Sequence, residues 1–210
     1  TSKTTAKITY LQGTIYQTLK SYFNESISKK YLDSQIEGIT LLTKIINENN
    51  IECDLEKSPS ILFAIDKNNN KKIDKEKELL SKWDIKVKDI KENNFKYGFK
   101  VNDTYTFNPI KYLESITNII NKKIDIYENV VVKDIKKDNK EFNIKTSNGN
   151  IHSKIVIIAN HYPFFIYPLL FPLKTYVKKE YVNSAKAKKT NNYNAINVDS
   201  DLYSLRYYND

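Results

Sequence analysis

Methionine is absent from all 210 residues, cysteine and arginine each occur once, and glycine occurs four times. The single cysteine, Cys53, cannot close a disulfide within the chain, and with only His152 and His161 beside it no Cys/His zinc site can be assembled. No metal is therefore expected. Glycines at 13, 38, 98 and 149 leave no GxGxxG, no GxxxxGK followed by Ser or Thr, and no GxSxG. These absences exclude a self-contained nucleotide-phosphate cradle and argue against a hydrolase of common type. Long apolar runs are also missing. The longest, Tyr162 to Leu173, carries three of the five prolines and is too short to span a bilayer, and no basic, apolar leader opens the chain, so a cytoplasmic protein is expected. With no methionine, and a start directly into a run of Ser, Thr and Lys, the chain is expected to be a piece of something longer.

At 40% hydrophobic and 28% charged, the chain has enough apolar residues for one large domain or two small ones. The formal charge of +9 invites a nucleic-acid reading. Against it, 33 of the 34 basic residues are lysine and only Arg206 carries the planar fork that phosphate and base readers favour. The lysines are also interleaved with Asp and Glu, which reads as a solvated surface; no nucleic-acid partner is expected.

Hydrophobic spacing predicts helices over Gly13–Phe23, over a longer segment with Ile27, Tyr31, Ile36, Ile39, Leu42 and Ile46 inward, and over Lys72–Trp83 with Ile73, Leu79, Leu80 and Trp83 inward. Asn108-Pro109 is the best-specified helix start, followed by an expected buried stripe of Ile110, Leu113, Ile116 and Ile120. Strands are predicted at Ile51–Leu55 and Ser60–Ile65. A hairpin is predicted from Phe95–Val101 and Thr104–Phe107 over Asn102-Asp103. A three-stranded meander follows at Asn129–Ile135, Glu141–Thr146 and Ile151–Ser153, turning at Asn148-Gly149. The unbroken run Ile155–Ala159 is expected as a strand buried on both faces, as in a parallel sheet, with an uncovered apolar edge if its neighbours lie outside the chain. Lys174–Val182 and Asp201–Tyr208 are expected strands around a polar stretch, Ser184–Asn197. Asp66 to Lys71 opens like a calcium loop but has Lys71 where the turn needs Gly and Lys77 where a bidentate Glu is needed, so a polar loop is expected. Cys53 sits between Glu52 and Asp54, anions that raise a thiol pKa rather than activate it.

Two clusters, read together, resemble the D-amino-acid oxidase/glycine oxidase-type family of FAD-dependent oxidoreductases. They are Thr1-Ser2-Lys3-Thr4-Thr5-Ala6-Lys7-Ile8-Thr9, and Val130-Val131-Val132 with Thr146 to Ile151 and Ile155 to Pro163. The resemblance implies that Thr4, Thr5, Ala6 and Lys7 pass beside the flavin. It implies further that Val131 touches the adenine end and that Ala159, Asn160 and His161 return to the cofactor, Asn160 standing where the family more often has threonine. Phe107-Asn108-Pro109 matches the element before the meander. The implied fold is α+β or α/β: a meander plus parallel strand from a two-dinucleotide-binding-type FAD domain, joined to an antiparallel-sheet substrate domain. The implied division is 1–50 as an edge of the FAD domain and helical segment, 51–108 and 164–210 as the substrate domain, and 109–163 as the FAD-domain part.

The reaction implied is oxidation of an amine or amino acid by hydride transfer to FAD, the cofactor doing the chemistry. The glycine-rich cradle and a C-terminal flavin-contact segment would lie outside these residues, so the chain alone is expected to be inactive and to bind FAD weakly or not at all. Arg206 is the one candidate for a clamp on a substrate carboxylate. An alternative from another class is a non-enzymatic α+β module binding a ligand or partner on tyrosine-bearing strands with Tyr176, Tyr181, Tyr203, Tyr207 and Tyr208.

Overall fold

The computed structural model describes residues 4–90, 95–160, 181–186, 192–200 and 203–207. The chain divides into two units, Thr1–Ile120 with Ala185–Asp210, and Asn121–Ser184. The helix that follows Asn108 falls in the first unit.

In the first unit, β1 (Lys7–Ile8) leads to α1 (Ile15–Tyr22) and the long α2 (Glu25–Glu48). Asn24 caps α2, its side chain accepting the Ile27 amide at 3.0 Å, and Asn49 closes the other end. The predicted α2 stripe holds for Tyr31, Ile36 and Ile39, while Leu32 is fully buried and Ile27 is exposed. Residues 51–55, expected as a strand, run irregularly, and pairing begins only at β2 (Glu56–Lys57). Next come β3 (Ser60–Ala64), α3 (Asn70–Lys82), β4 (Lys88–Asp89), β5 (Tyr97–Val101), β6 (Tyr105–Thr106) and α4 (Pro109–Ile120).

The expected hairpin at 95–107 does not form. Strand β5 pairs with β3 and β4, while β6 pairs with β1 and β2 in a separate small sheet ordered β1-β6-β2. Asn102-Asp103 thus switches the chain between sheets, because each flanking strand finds its partner far away in sequence. The α4 stripe is also rotated from expectation. Ile110 is exposed, and Tyr112, Ile116 and Ile119 pack with Ile46, Ile51 and Cys53.

The larger sheet is ordered β11-β10-β3-β5-β4, with β10 (Asn194–Asn197) and β11 (Ser204–Arg206). It is mixed rather than antiparallel throughout, since β10 runs parallel to β3. Strand β10 falls inside the stretch read as polar, and Asn194, Ala195 and Asn197 are all buried. Alternation along the strands builds two faces. Leu62, Ala64, Phe99 and Val101 join Tyr16, Leu32, Ile73 and Leu80 in the main core. On the opposite face Ile61, Phe63, Phe95, Tyr193 and Ala195 form a second cluster. Gly98 in β5 is required by close approach: a Cβ there would lie 2.3 Å from the Leu62 carbonyl.

The second unit is the meander β7 (Val132–Asp138), β8 (Glu141–Thr146) and β9 (Gly149–Ser153), antiparallel throughout. The tight turn expected at Asn148-Gly149 falls one residue earlier, at Ser147-Asn148, with Gly149 paired to Thr146 as the first residue of β9. Thr146 Oγ1 accepts the Asn148 amide and donates to the Gly149 carbonyl, and Gly149 takes φ +133°. The run Ile155–Ala159 is not the buried strand expected. It pairs with no strand among the described residues, and Ile155 and Ile157 are 74% and 85% exposed. A strand needs partners to satisfy its amides, and none of the described strands pairs with it. Residues 161–180, with His161, Tyr176 and most of the expected Lys174–Val182 strand, lie outside the described residues, as does Tyr208.

Candidate functional site

The first unit carries Thr4 to Lys7 on the way into β1. Lys7 and Ile8 pair with Thr106 and Tyr105. Ala6 is buried and held at φ +54°, a left-handed conformation that costs a non-glycine residue about 1–2 kcal/mol. Its amide donates to Thr4 Oγ1 at 3.2 Å and its carbonyl accepts from the Phe107 amide at 3.4 Å. Arg206 reaches the same place from β11, Nη1 donating to the Thr5 carbonyl at 3.3 Å and Nη2 to the Phe107 carbonyl at 3.2 Å. The structure thus brings Arg206 together with the Thr4–Lys7 segment, two features the sequence offered separately.

The second unit holds Val131 and Asn160, which line one open groove of about 590 Å³. Val130, Val132, Ile135, Ile144 and Val156 to Ile158 complete a wall that is apolar except for Asn160. Ala159, between two lining residues, is itself exposed. Such a groove suits the face of a flat, weakly polar ring.

A flavin dinucleotide also needs an anion site for its diphosphate, usually free amides at a helix N-terminus beside glycine. Gly13, at φ +66° just before α1, is the nearest approach to that arrangement. The amides of the first turn of α1 are already taken. Glu76, fully buried on α3, accepts from Tyr16 N at 3.0 Å through Oε1 and from Gln17 N at 3.0 Å through Oε2. A carboxylate there repels a phosphate. At α4 the Asn108 side chain accepts the Ile110 and Lys111 amides, and at α2 Asn24 and Glu25 occupy the start. The starts of α1, α2 and α4 therefore do not fit a diphosphate.

Burial pushes the Glu76 carboxyl above its usual range, against the lowering effect of the Tyr16 and Gln17 hydrogen bonds. Glu76 escaped the sequence reading, though it lies three residues from Ile73 and four from Leu80, on the stripe that faces inward. The calcium-like segment is explained by ordinary loop chemistry. Asp66 accepts the Asn68 amide, and Asp199 accepts from the amides of Ile65 and Asp66 and from the side chains of Asn69 and Asn197. Burial raises Asp199, but these hydrogen bonds outweigh it and hold the carboxyl below its usual range. Cys53 is buried and its thiol is pushed up, first by burial and then by Asp54, as its neighbours suggested. No group of three or more metal-ligating side chains occurs among the described residues, and no helix there is long and apolar enough to cross a membrane.

The fold is amino-acid-oxidase-like. Glycine oxidase from Geobacillus kaustophilus superposes with a TM-score of 0.54 at 11% identity, over 59% of this chain and 38% of that one. L-proline dehydrogenase from P. horikoshii gives 0.54 at 16%, over 63% and 38%. In sequence the chain is 27% identical, over 99% of its length, to a Bacillus subtilis (strain 168) protein that bears the name of a Rieske 2Fe-2S iron-sulfur protein, YhfW. The chain spans 42% of the length of that relative. No protein-family model matches the chain.

Proposed function

We propose that these residues are part of a FAD-dependent oxidoreductase that oxidises the C–N bond of an amine or amino acid. The observation that carries this reading is the fold shared with parts of enzymes named for the oxidation or deamination of amino acids. In it, Thr4 to Lys7 pass beside the flavin, and Val131, Ala159, Asn160 and His161 lie along the cofactor. The diphosphate is held by residues other than these 210. Arg206 acts as a positioning residue more readily than as a carboxylate clamp, because both terminal nitrogens are turned to main-chain carbonyls. A cytoplasmic location and the lack of a nucleic-acid partner belong to the same reading.

The Rieske name of the sequence relative is compatible with this proposal. A Rieske centre takes two cysteines and two histidines, and this chain has one cysteine. A cluster in the parent protein would have to sit outside the aligned part. Of the tyrosines in the alternative reading, Tyr207 is half-buried with its ring 4.9 Å from that of Tyr193, whereas Tyr181 and Tyr203 are 89% and 42% exposed.

The test is flavin absorbance of the full-length protein and of the 210-residue chain, each after purification and after addition of FAD and desalting. The full-length protein is expected to hold flavin and the chain alone to lose it. A stoichiometric flavin on the chain alone would overturn the placement of the cradle elsewhere, and a full-length protein that takes up no FAD would overturn the oxidoreductase reading.

A further inference from the structure

One register row of the larger sheet sets Arg206, Asn194 and Ser60 side by side on β11, β10 and β3. The row ends the face that otherwise carries Leu62, Ala64 and Ile196 into the main core. Asn194 and Ser60 are each 1% exposed. Neither the carboxamide of Asn194, through Oδ1 or Nδ2, nor the Ser60 hydroxyl has a hydrogen-bond partner among the described residues. Leaving such groups unsatisfied costs about 1–3 kcal/mol each, and native interiors avoid it by pairing or by ordered water.

Several of the surrounding polar groups already have partners. The Asn194 amide donates to the Pro59 carbonyl at 2.8 Å, Thr104 Oγ1 donates to the Ser58 carbonyl, and Arg206 spans to Thr5 and Phe107. What remains is a carboxamide with donors and acceptors beside a hydroxyl that does both, with Arg206 Nε buried in the same row. Because both ends of the carboxamide lack a partner, the assignment of oxygen and nitrogen does not alter the requirement. The guest that fits is small and able both to donate and to accept. Water meets both conditions, and a buried water commonly makes about three such bonds.

We infer that Ser60 and Asn194 form an internal water site, bridging β3 and β10 next to the arginine that anchors the Thr4–Lys7 segment. The site is independent of the flavin reading and stands or falls without it. Asn194→Leu keeps the volume and removes the hydrogen-bonding end, and Ser60→Ala removes the hydroxyl.

The test is a crystal structure of the full-length protein at a resolution that shows ordered water, with the two variants compared by thermal unfolding. Density for a water within hydrogen-bond reach of both side chains in the wild type, lost in Asn194→Leu together with a lowered unfolding midpoint, is the expected result. A map showing both side chains bonded to other protein groups, or with no water in reach of either, overturns the inference. So does an Asn194→Leu midpoint above wild type by several degrees, which is the signature of a dry, unsatisfied site. If crystals fail, the readout is NMR magnetisation transfer from long-lived water to the Asn194 side-chain amide, expected in the wild type and overturning the inference by its absence.

Discussion

The two units use the same alternating strand chemistry and reach opposite outcomes. In the first, a five-stranded sheet is layered under three helices, and side chains such as Leu62, Leu80, Phe99 and Val101 are fully buried. In the second, three strands of comparable pattern bury only Ile144 and Thr146 among the described residues, while Val131 and Ile157 remain largely in water. Alternation decides which face is apolar, but only a second layer removes that face from solvent. Among the described residues of the second unit no second layer covers the meander.

The comparison is broken or sharpened by a graded set of substitutions, followed best by the fluorescence of Trp83. This single tryptophan lies in the first unit, its ring centroid 6.1 Å from that of Tyr16, and so reports that unit alone. The largest effect is expected for Phe99→Ala, which empties the centre of the main core and should cost about 3–5 kcal/mol in denaturant unfolding. Glu76→Ala should follow at about 3 kcal/mol, since it strands two amide donors at the start of α1. A loss under about 1 kcal/mol would mean that the helix start finds other partners. Gly98→Ala is expected to cost about 1–3 kcal/mol, because its Cβ would press on the Leu62 carbonyl and on Ile90 Cδ1 at 2.8 Å. The smallest effect is Ile157→Ser in the second unit, followed by circular dichroism because Trp83 does not report there. It should change stability by no more than about 0.5 kcal/mol and raise solubility, and a large loss would show that this run is packed in solution.

A pH series separates Glu76 from the other carboxylates. Its folded pKa is raised, so the folded state holds this proton more tightly than the unfolded one, and stability falls as pH rises from the unfolded carboxylate value through the folded one. Glu76→Gln removes that slope, so the stability difference, variant minus wild type, should grow more positive across this window. Asp54 is lowered, first by the hydrogen bond from Lys111, and Asp199 is lowered by its four donors. They act with the opposite sign, contributing above the unfolded value and losing that contribution as pH falls through their folded pKa values. A flat difference curve for Glu76→Gln would show that its carboxyl is not shifted by burial.

Local chemistry decided much of this protein. The spacing of Ile73, Leu79 and Leu80 set the inner face of α3, Asn108-Pro109 set the start of α4, and Asn148-Gly149 marked the hairpin of the meander to within one residue. In each case the determining contacts lie within a few residues, so a short window contains the cause. Where the cause is a partner far along the chain, the window fails. Asn194 and Asn197 read as loop, yet become buried strand because β3, more than 130 residues earlier, offers β10 a parallel edge. Val101 and Thr104 look like two arms of one hairpin, yet their strands join different sheets. Glu76 reads as surface charge until α1 arrives with unpaired amides. For the candidate site, Thr4 to Lys7 and Arg206 were legible as residue types, but their meeting through the Thr5 carbonyl depended on the sheet. Helix periodicity and turn propensity are properties of neighbouring residues; strand partnership and the burial of polar groups depend on which distant segments come together, and only the tertiary structure decides that.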